Sequence, residues 1–244
     1  MRLLVVAGHG MKSNGVMDNG APGNGYNEAE RVRALANRMK ALGGDSVVLG
    51  DQSRKWLDYG LYNSVDKSTF DCAIELHMDS AAASARGGHV IIKSGFNADS
   101  YDKALESFIA GYFPGRSNTL VGRSDLGVVN TCANRCINFR LLEVCFISNA
   151  EDIAKFNGDI DAVARGILSA FGIGSSGATT TTGTTNETDA SASTAQVGKC
   201  TGNSVNVRSG PGTGYSVLRQ LNKDNLFDIL GREGDWVKVN IVGL

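Results

Sequence analysis

No stretch of the 244-residue sequence approaches the roughly 18 consecutive apolar residues that a membrane-spanning helix requires. Neither sign of charge prevails: 24 Lys and Arg against 25 Asp and Glu leave a formal charge of −1. A chain so nearly neutral has no overall basic field to hold nucleic acid or an anionic bilayer, so neither is expected as its main partner. The four apolar residues "LLVV" before Ala7 and a glycine turn are too few for a signal-peptide core and read as a first strand. The expectation is synthesis in the cytoplasm without a cleaved leader.

Cysteine is sparse and odd in number. Cys72, Cys132, Cys136, Cys145 and Cys200 are irregularly spaced, which argues against a disulfide framework and for reduced thiols. The pair in "CANRC" lacks a second pair to complete a tetrahedral zinc site. Histidine is scarcer still, with His9, His77 and His89 the three in the chain.

The 42% of hydrophobic residues suffices for one domain of ordinary size and a smaller one. Residues 172–198, "GIGSSGATTTTGTTNETDASASTAQVG", hold almost no large apolar side chain and cannot offset the entropy of ordering, so they read as a flexible linker. This leaves residues 1–171 before the linker and 199–244 after it.

In the first part, strand-like and helix-like stretches alternate. "RLLVVA", "SVVLG", "FDCAIELH", "GGHVIIKS" and "INFRLLEVCF" read as strands. "EAERVRALANRMKAL" sets Val32, Leu35, Met39 and Leu42 on one helical face. "SRKWLDYGLYNSVDK", "SYDKALESFIAGYF" and "DIDAVARGILSAFG" also read as helices, and "SNAEDIAKF" as one opened by a Ser148–Glu151 capping box. This order predicts an α/β fold: an open, twisted, mostly parallel sheet flanked by helices. The tail, with short alternating runs between Gly, Pro and Asn-Lys-Asp turns, predicts a small all-β module.

In open α/β sheets, ligands bind at the carboxyl ends of the strands. His9 follows the first strand there, His77 closes "CAIEL", and Glu143 lies late in "FRLLEV". Glu28 opens the first helix after a Gly/Asn loop able to fold it back toward His9. Two histidines and a carboxylate are the usual protein half of a hydrolytic zinc site, with Glu143 left over as a base.

Plainer roles exist for each. Glu28 suits the first turn of a helix, and Glu143 could pair with Arg140 or Arg123. Glu75, two residues before His77, should share its face as a rival ligand, a base or a partner orienting the histidine. His89 is a substitute ligand or a strand residue facing a neighbour. Cys145 should share a face with Glu143, yet nothing near it resembles an activated thiol.

Taken in order, "VVAGHG", "DNGAPGNGYNEAE", "IELHMDSA...RGGHV" and "RLLEVCFISNAED" resemble the zinc-dependent N-acetylmuramoyl-L-alanine amidases of the Amidase_3 type, most of all the phage and prophage endolysins. The resemblance covers residues 1–171. It implies His9, Glu28 and His77 as zinc ligands and Glu143 as the catalytic glutamate, with Glu30 the misalignment risk for Glu28. It also implies the bond cut, the amide joining the lactyl group of N-acetylmuramic acid to L-alanine of the peptidoglycan stem peptide. Met11 and Glu75 depart from the family pattern, where a glycine and a small residue are common.

The tail, through "VNVRSGPGTGYSVLRQL" and "GDWVKV", resembles a bacterial SH3-like domain of the kind that attaches endolysins to the wall. It stops at "IVGL" where the family continues, so a truncated module with an open edge is expected. Tyr215 and Trp236 are its candidate wall contacts, with core packing the plainer role for either. An endolysin without a leader would reach the wall through a membrane pore made by another protein. The alternatives are a zinc peptidase cutting within the stem peptide and a non-catalytic wall-binding protein.

Overall fold

A computed structural model describes residues 1–174, 196–223 and 226–240. The chain divides into two compact units, Met1–Ala178 and Thr179–Leu244. Among the described residues no helix is long and apolar enough to cross a membrane.

The first unit opens with strand β1 (Leu3–Ala7), which is buried along its whole length, as a central parallel strand should be. Two miniature hairpins follow, β2 (Gly10–Met11) with β3 (Met17–Asp18) and β4 (Pro22–Gly23) with β5 (Tyr26–Asn27). Helix α1 (Glu28–Gly43) is capped by Asn27, whose side chain accepts from the Glu30 amide. Its buried stripe of Val32, Leu35 and Met39 is the one the apolar spacing predicts. Then come β6 (Val47–Leu49), α2 (Leu61–Ser64), β7 (Cys72–Asp79), β8 (His89–Lys93), α3 (Ser100–Tyr112) and β9 (Leu120–Arg123). The unit ends with α4 (Gly127–Asn134), β10 (Phe139–Phe146), α5 (Ala150–Gly158) and α6 (Ile160–Ala170).

The six-stranded sheet has the order β6-β1-β7-β10-β8-β9, and all neighbours are parallel except β8 against β10. Side chains alternate between its faces. Leu3, Val5, Ile74, Leu76 and Leu142 join the larger core with α1, α3, α5 and α6. Leu4, Val6, Ala73, Ile91 and Leu141 join the smaller one with Trp56, Tyr62, Phe70 and α4. This second cover is thin, and Glu75, His77, His89 and Glu143 emerge on its side, whereas Arg140 lies on the other.

Three expectations need correction. The stretch 53–67 is α-helical only at Leu61–Ser64, with a 3-10 turn opening at Lys67, because Gly60 is left-handed (φ 63°) and the Trp56 indole N–H donates to the Asp51 carbonyl at 2.8 Å. Helix α5 is capped by Asn149, which accepts from the Glu151 and Asp152 amides, while the Ser148 hydroxyl instead accepts from the Ala81 amide. Cys145 packs in the larger core, away from the Glu143 face, because the β7–β10 register shifts between Glu143 and Phe146.

The second unit is all-β, with β11 (Gln196–Lys199), β14 (Leu226–Glu233) and β15 (Trp236–Asn240) in one sheet and β12 (Val205–Arg208) paired with β13 (Val217–Leu221). Strand β11 begins inside the stretch read as linker, and at its other end Ile173 packs in the larger core of the first unit. Residues 175–195 of that stretch and the closing "IVGL" lie outside the described residues. Tyr215 is half exposed (50%) with its ring over Gly210, so it is not a core residue, whereas Trp236 is partly buried.

Candidate functional site

The site forms where β1, β7 and β10 end. His9 follows β1 in a Gly-His-Gly turn and holds a left-handed backbone (φ 69°). This conformation costs a non-glycine residue of order 1–3 kcal/mol and points to a functional constraint. Gly8 before it has no room for a side chain, since a Cβ there would strike the His77 ring. Gly20 (φ +66°) is equally tight, because a Cβ would lie 2.6 Å from Glu28 Oε2 and 2.8 Å from His9 Cδ2. The loop between His9 and Glu28 is fastened across the site by Asn24, whose amide donates to the Ile147 carbonyl at 2.8 Å.

Glu28 is buried (4% exposed) at the first position of α1. Its Oε2 accepts from the Ala21 amide at 2.9 Å and its Oε1 from the Met78 amide at 3.0 Å. That same Oε1 lies 2.8 Å from His9 Nε2 and 2.9 Å from His77 Nδ1. Burial opposes ionisation of Glu28, but the His77 and His9 contacts outweigh it and hold the carboxyl well below its usual range. Burial likewise opposes the charge on His77, and Glu28 and Glu75 more than offset it, raising its pKa well above the ordinary value.

His9, Glu28 and His77 each offer one ligand atom, and these lie within 4.8 Å of one another. Glu30, by contrast, is on the surface and paired with Arg31. Although His9 Nε2 is close to Glu28, neither ring nitrogen of His9 is aligned for a hydrogen bond, so both are buried and orphaned. Orphaned nitrogens beside a pinned carboxylate fit a divalent cation, and two nitrogens with one oxygen suit zinc with a position left open. Cys132 is buried and Cys136 exposed, and neither joins a metal-competent group among the described residues.

Glu143 is the register partner of His77 on one side and of His89 on the other, so the three share the thinly covered face. Its Oε2 is buried without a hydrogen-bond partner. Burial, aided by the negative charges of Asp79 and Glu28 against the opposing His77 and Arg116, pushes its pKa up to about 8. Neither arginine considered for it is its partner: Arg140 pairs with Asp99 and Asp102, and Arg123 with Asp125. His89 is also buried, with its Nδ1 3.5 Å from Asp79, a carboxylate that pairs with Arg116. It stands apart from the metal-competent group.

Residues 3–173 match the family described as N-acetylmuramoyl-L-alanine amidase, and residues 203–243 match the bacterial SH3 domain. Over 190 residues the chain is 34% identical to a probable autolysin of Staphylococcus aureus (strain NCTC 8325 / PS 47), covering 70% of this chain and 38% of that protein. The chain thus spans less than half the length of this curated relative. Among solved structures, the catalytic domain of the CD27L endolysin superposes with a TM-score of 0.56 at 19% identity, over 70% of this chain and 96% of its own. The catalytic domain of the amidase CwlV from Bacillus (Paenibacillus) polymyxa var. colistinus gives 0.54 at 19%, over 70% and 96%. The amidase AmiC2 of Nostoc punctiforme gives 0.51 at 21%, over 70% and 97%. At these identities the likeness is one of fold.

Proposed function

This chain belongs to the N-acetylmuramoyl-L-alanine amidase family, and from that membership we propose that it is a zinc-dependent peptidoglycan hydrolase cutting between N-acetylmuramic acid and the stem-peptide L-alanine. The observation that carries the reading is the convergence of His9 Nε2 and His77 Nδ1 on Glu28 Oε1, beside the unpartnered Oε2 of Glu143.

In this reading His9, Glu28 and His77 hold the zinc ion. Zinc supplies Lewis acidity, lowering the pKa of water toward about 7 and polarising the scissile carbonyl. The protein's own part is then proton management. Glu143 Oε2 accepts a proton from the attacking water as its oxygen bonds to the carbonyl carbon. It returns that proton to the alanine nitrogen as the carbon–nitrogen bond breaks. A carboxyl with its proton affinity raised toward neutrality suits both halves of that exchange. In this reading the unit that ends with Ile173 is the catalytic domain and the one that begins with β11 (Gln196–Lys199) the wall-binding module, with Tyr215 and Trp236 as its candidate contacts. Attachment through the tail keeps the catalytic domain at high local concentration near its bonds.

The test is digestion of purified peptidoglycan with and without chelator, with products resolved by mass spectrometry. The expected products are intact stem peptides with a free L-alanine amino terminus, lost on chelation and restored by zinc. Cuts within the peptide would reassign the enzyme as a zinc peptidase. Absence of products from folded, zinc-loaded protein would leave a wall-binding protein.

A further inference from the structure

Strand β7 sends Glu75 and His77 to the same face, two positions apart. Glu75 Oε1 lies 2.9 Å from His77 Nε2, the ring nitrogen opposite the one that faces Glu28. The other oxygen of Glu75 accepts the hydroxyl hydrogen of Tyr62. Tyr62 has no freedom to leave: it is fully buried, with its ring edge-on to Trp56 at 5.1 Å and to Phe139 at 5.8 Å between centroids. Both Glu75 oxygens are therefore engaged away from the metal-competent group, which excludes Glu75 as a ligand and gives it a different task.

A histidine nitrogen binds a metal only with its lone pair free, and a neutral imidazole carries its one proton on the other nitrogen. An ionised carboxylate is an acceptor with no proton to give, so at Nε2 it draws the ring proton there and leaves Nδ1 bare. We propose, on the basis of the metal reading above, that Glu75, held by the Tyr62 hydroxyl, is the positioning residue that fixes His77 with Nδ1 presented to the metal. The carboxylate beside His9 is less well aligned. His9 Nδ1 is 3.2 Å from Asp18 but off the hydrogen-bond direction, and Asp18 is engaged by Lys55 at 2.8 Å and the Gly20 amide at 3.1 Å. The order of one ligand histidine thus depends on a chain of contacts running from the smaller core, through Tyr62 and Glu75, to the ring.

The test uses the full-length protein and three variants, Glu75→Ala, Glu75→Gln and Tyr62→Phe. Zinc affinity is read by competition with a chromogenic chelator, and the His77 Nε2–H by imidazole-selective NMR. Glu75→Ala should weaken zinc binding by about 10- to 100-fold and lose the protected Nε2–H resonance. Glu75→Gln keeps a carbonyl acceptor, and its amide can donate to the Tyr62 oxygen, so it should rescue most of the affinity. A residue that only fills space would give no such ordering. Tyr62→Phe should fall between the wild type and Glu75→Ala.

Folded Glu75→Ala with wild-type zinc affinity and an intact Nε2–H would overturn the proposal while leaving the metal reading in place. Wild-type protein that takes up no zinc would overturn both. Should Glu75→Ala fail to fold, Tyr62→Phe decides, and unchanged affinity in that variant overturns the chain of contacts.

Discussion

His77 and Glu143 face each other across one rung of the parallel β7–β10 ladder, so the side chains of a candidate ligand and a candidate base leave the same face side by side. Of the two, Glu143 is the one with a buried oxygen that nothing in the protein satisfies. Replacing it with Gln preserves shape while removing the ability to take a proton. Turnover should drop by about 10²- to 10⁴-fold. Zinc should stay bound, because His9, Glu28 and His77 are untouched. Activity assay and metal analysis on the same sample check both halves, and normal turnover would end the assignment of Glu143.

Gly20 sits where the loop passes over Glu28 and His9, in a left-handed conformation with no space for a methyl group. Gly20→Ala should cost about 1–3 kcal/mol of stability through overpacking and backbone strain. It should also weaken zinc binding, since the atoms that must move belong to two of the proposed ligands. Gly25, also left-handed (φ +83°) but with open space around the missing Cβ, is the control. Its alanine variant should lose stability alone. Equal zinc affinity in the two variants would show that the loop does not shape the site.

Much of the fold was legible because it rests on periodicity. The 3.6-residue stripe of α1 and the period of two along β7 each place several side chains at once, and His9, Glu28 and His77 inherit their positions from those elements. What escaped depends on single backbone events. The left-handed Gly60 shortens α2 to four residues, and the register shift near Glu143 turns Cys145 into the opposite core. Asn149 and Ser148 are adjacent polar residues with equal claim to the cap until the backbone is seen. Tyr62 was missed for another reason: its link to Glu75 joins residues 13 apart in sequence across a turn, and local pattern carries no trace of it.

Arg140 is fully buried, with its guanidinium paired to Asp102 at 2.9 Å and Asp99 at 3.0 Å. Removing one partner strands part of that charge in the interior. Asp102→Ala should therefore destabilise the protein by about 3–5 kcal/mol. The exposed Arg123–Asp125 pair has the same chemistry in water, and Asp125→Ala should cost far less than Asp102→Ala. Denaturant unfolding of the two variants gives the comparison, and similar losses would contradict the assigned difference in burial.

His89 adds a pH dependence of its own. Burial, reinforced by the positive charges of Arg116 and Arg123, pushes its pKa down to about 4, although Asp79 lies 3.5 Å away and Glu143 is its neighbour across the ladder. At this residue the unfolded chain, with a histidine near 6.5, binds more protons than the folded protein between those two values. The contribution of His89 to stability must therefore fall as pH drops from about 6.5 to about 4, by up to about 3 kcal/mol, and level off below. Glu143, pushed up to about 8, contributes in the opposite sense as pH drops from about 8 to about 4.5. Asp18 and Glu28, whose carboxyls are held low, begin to lose their stabilisation only at the acid end of that window and lose most of it below. His77, whose pKa is raised, has its stabilisation fully present below about 6.5 in the metal-free protein and leaves this window unaffected. Metal-free His89→Gln should then gain stability relative to wild type as pH drops from 6.5 to 4, measured by denaturant unfolding at fixed ionic strength. Parallel profiles would mean that His89 is not held neutral by its surroundings and that another group sets the acid sensitivity.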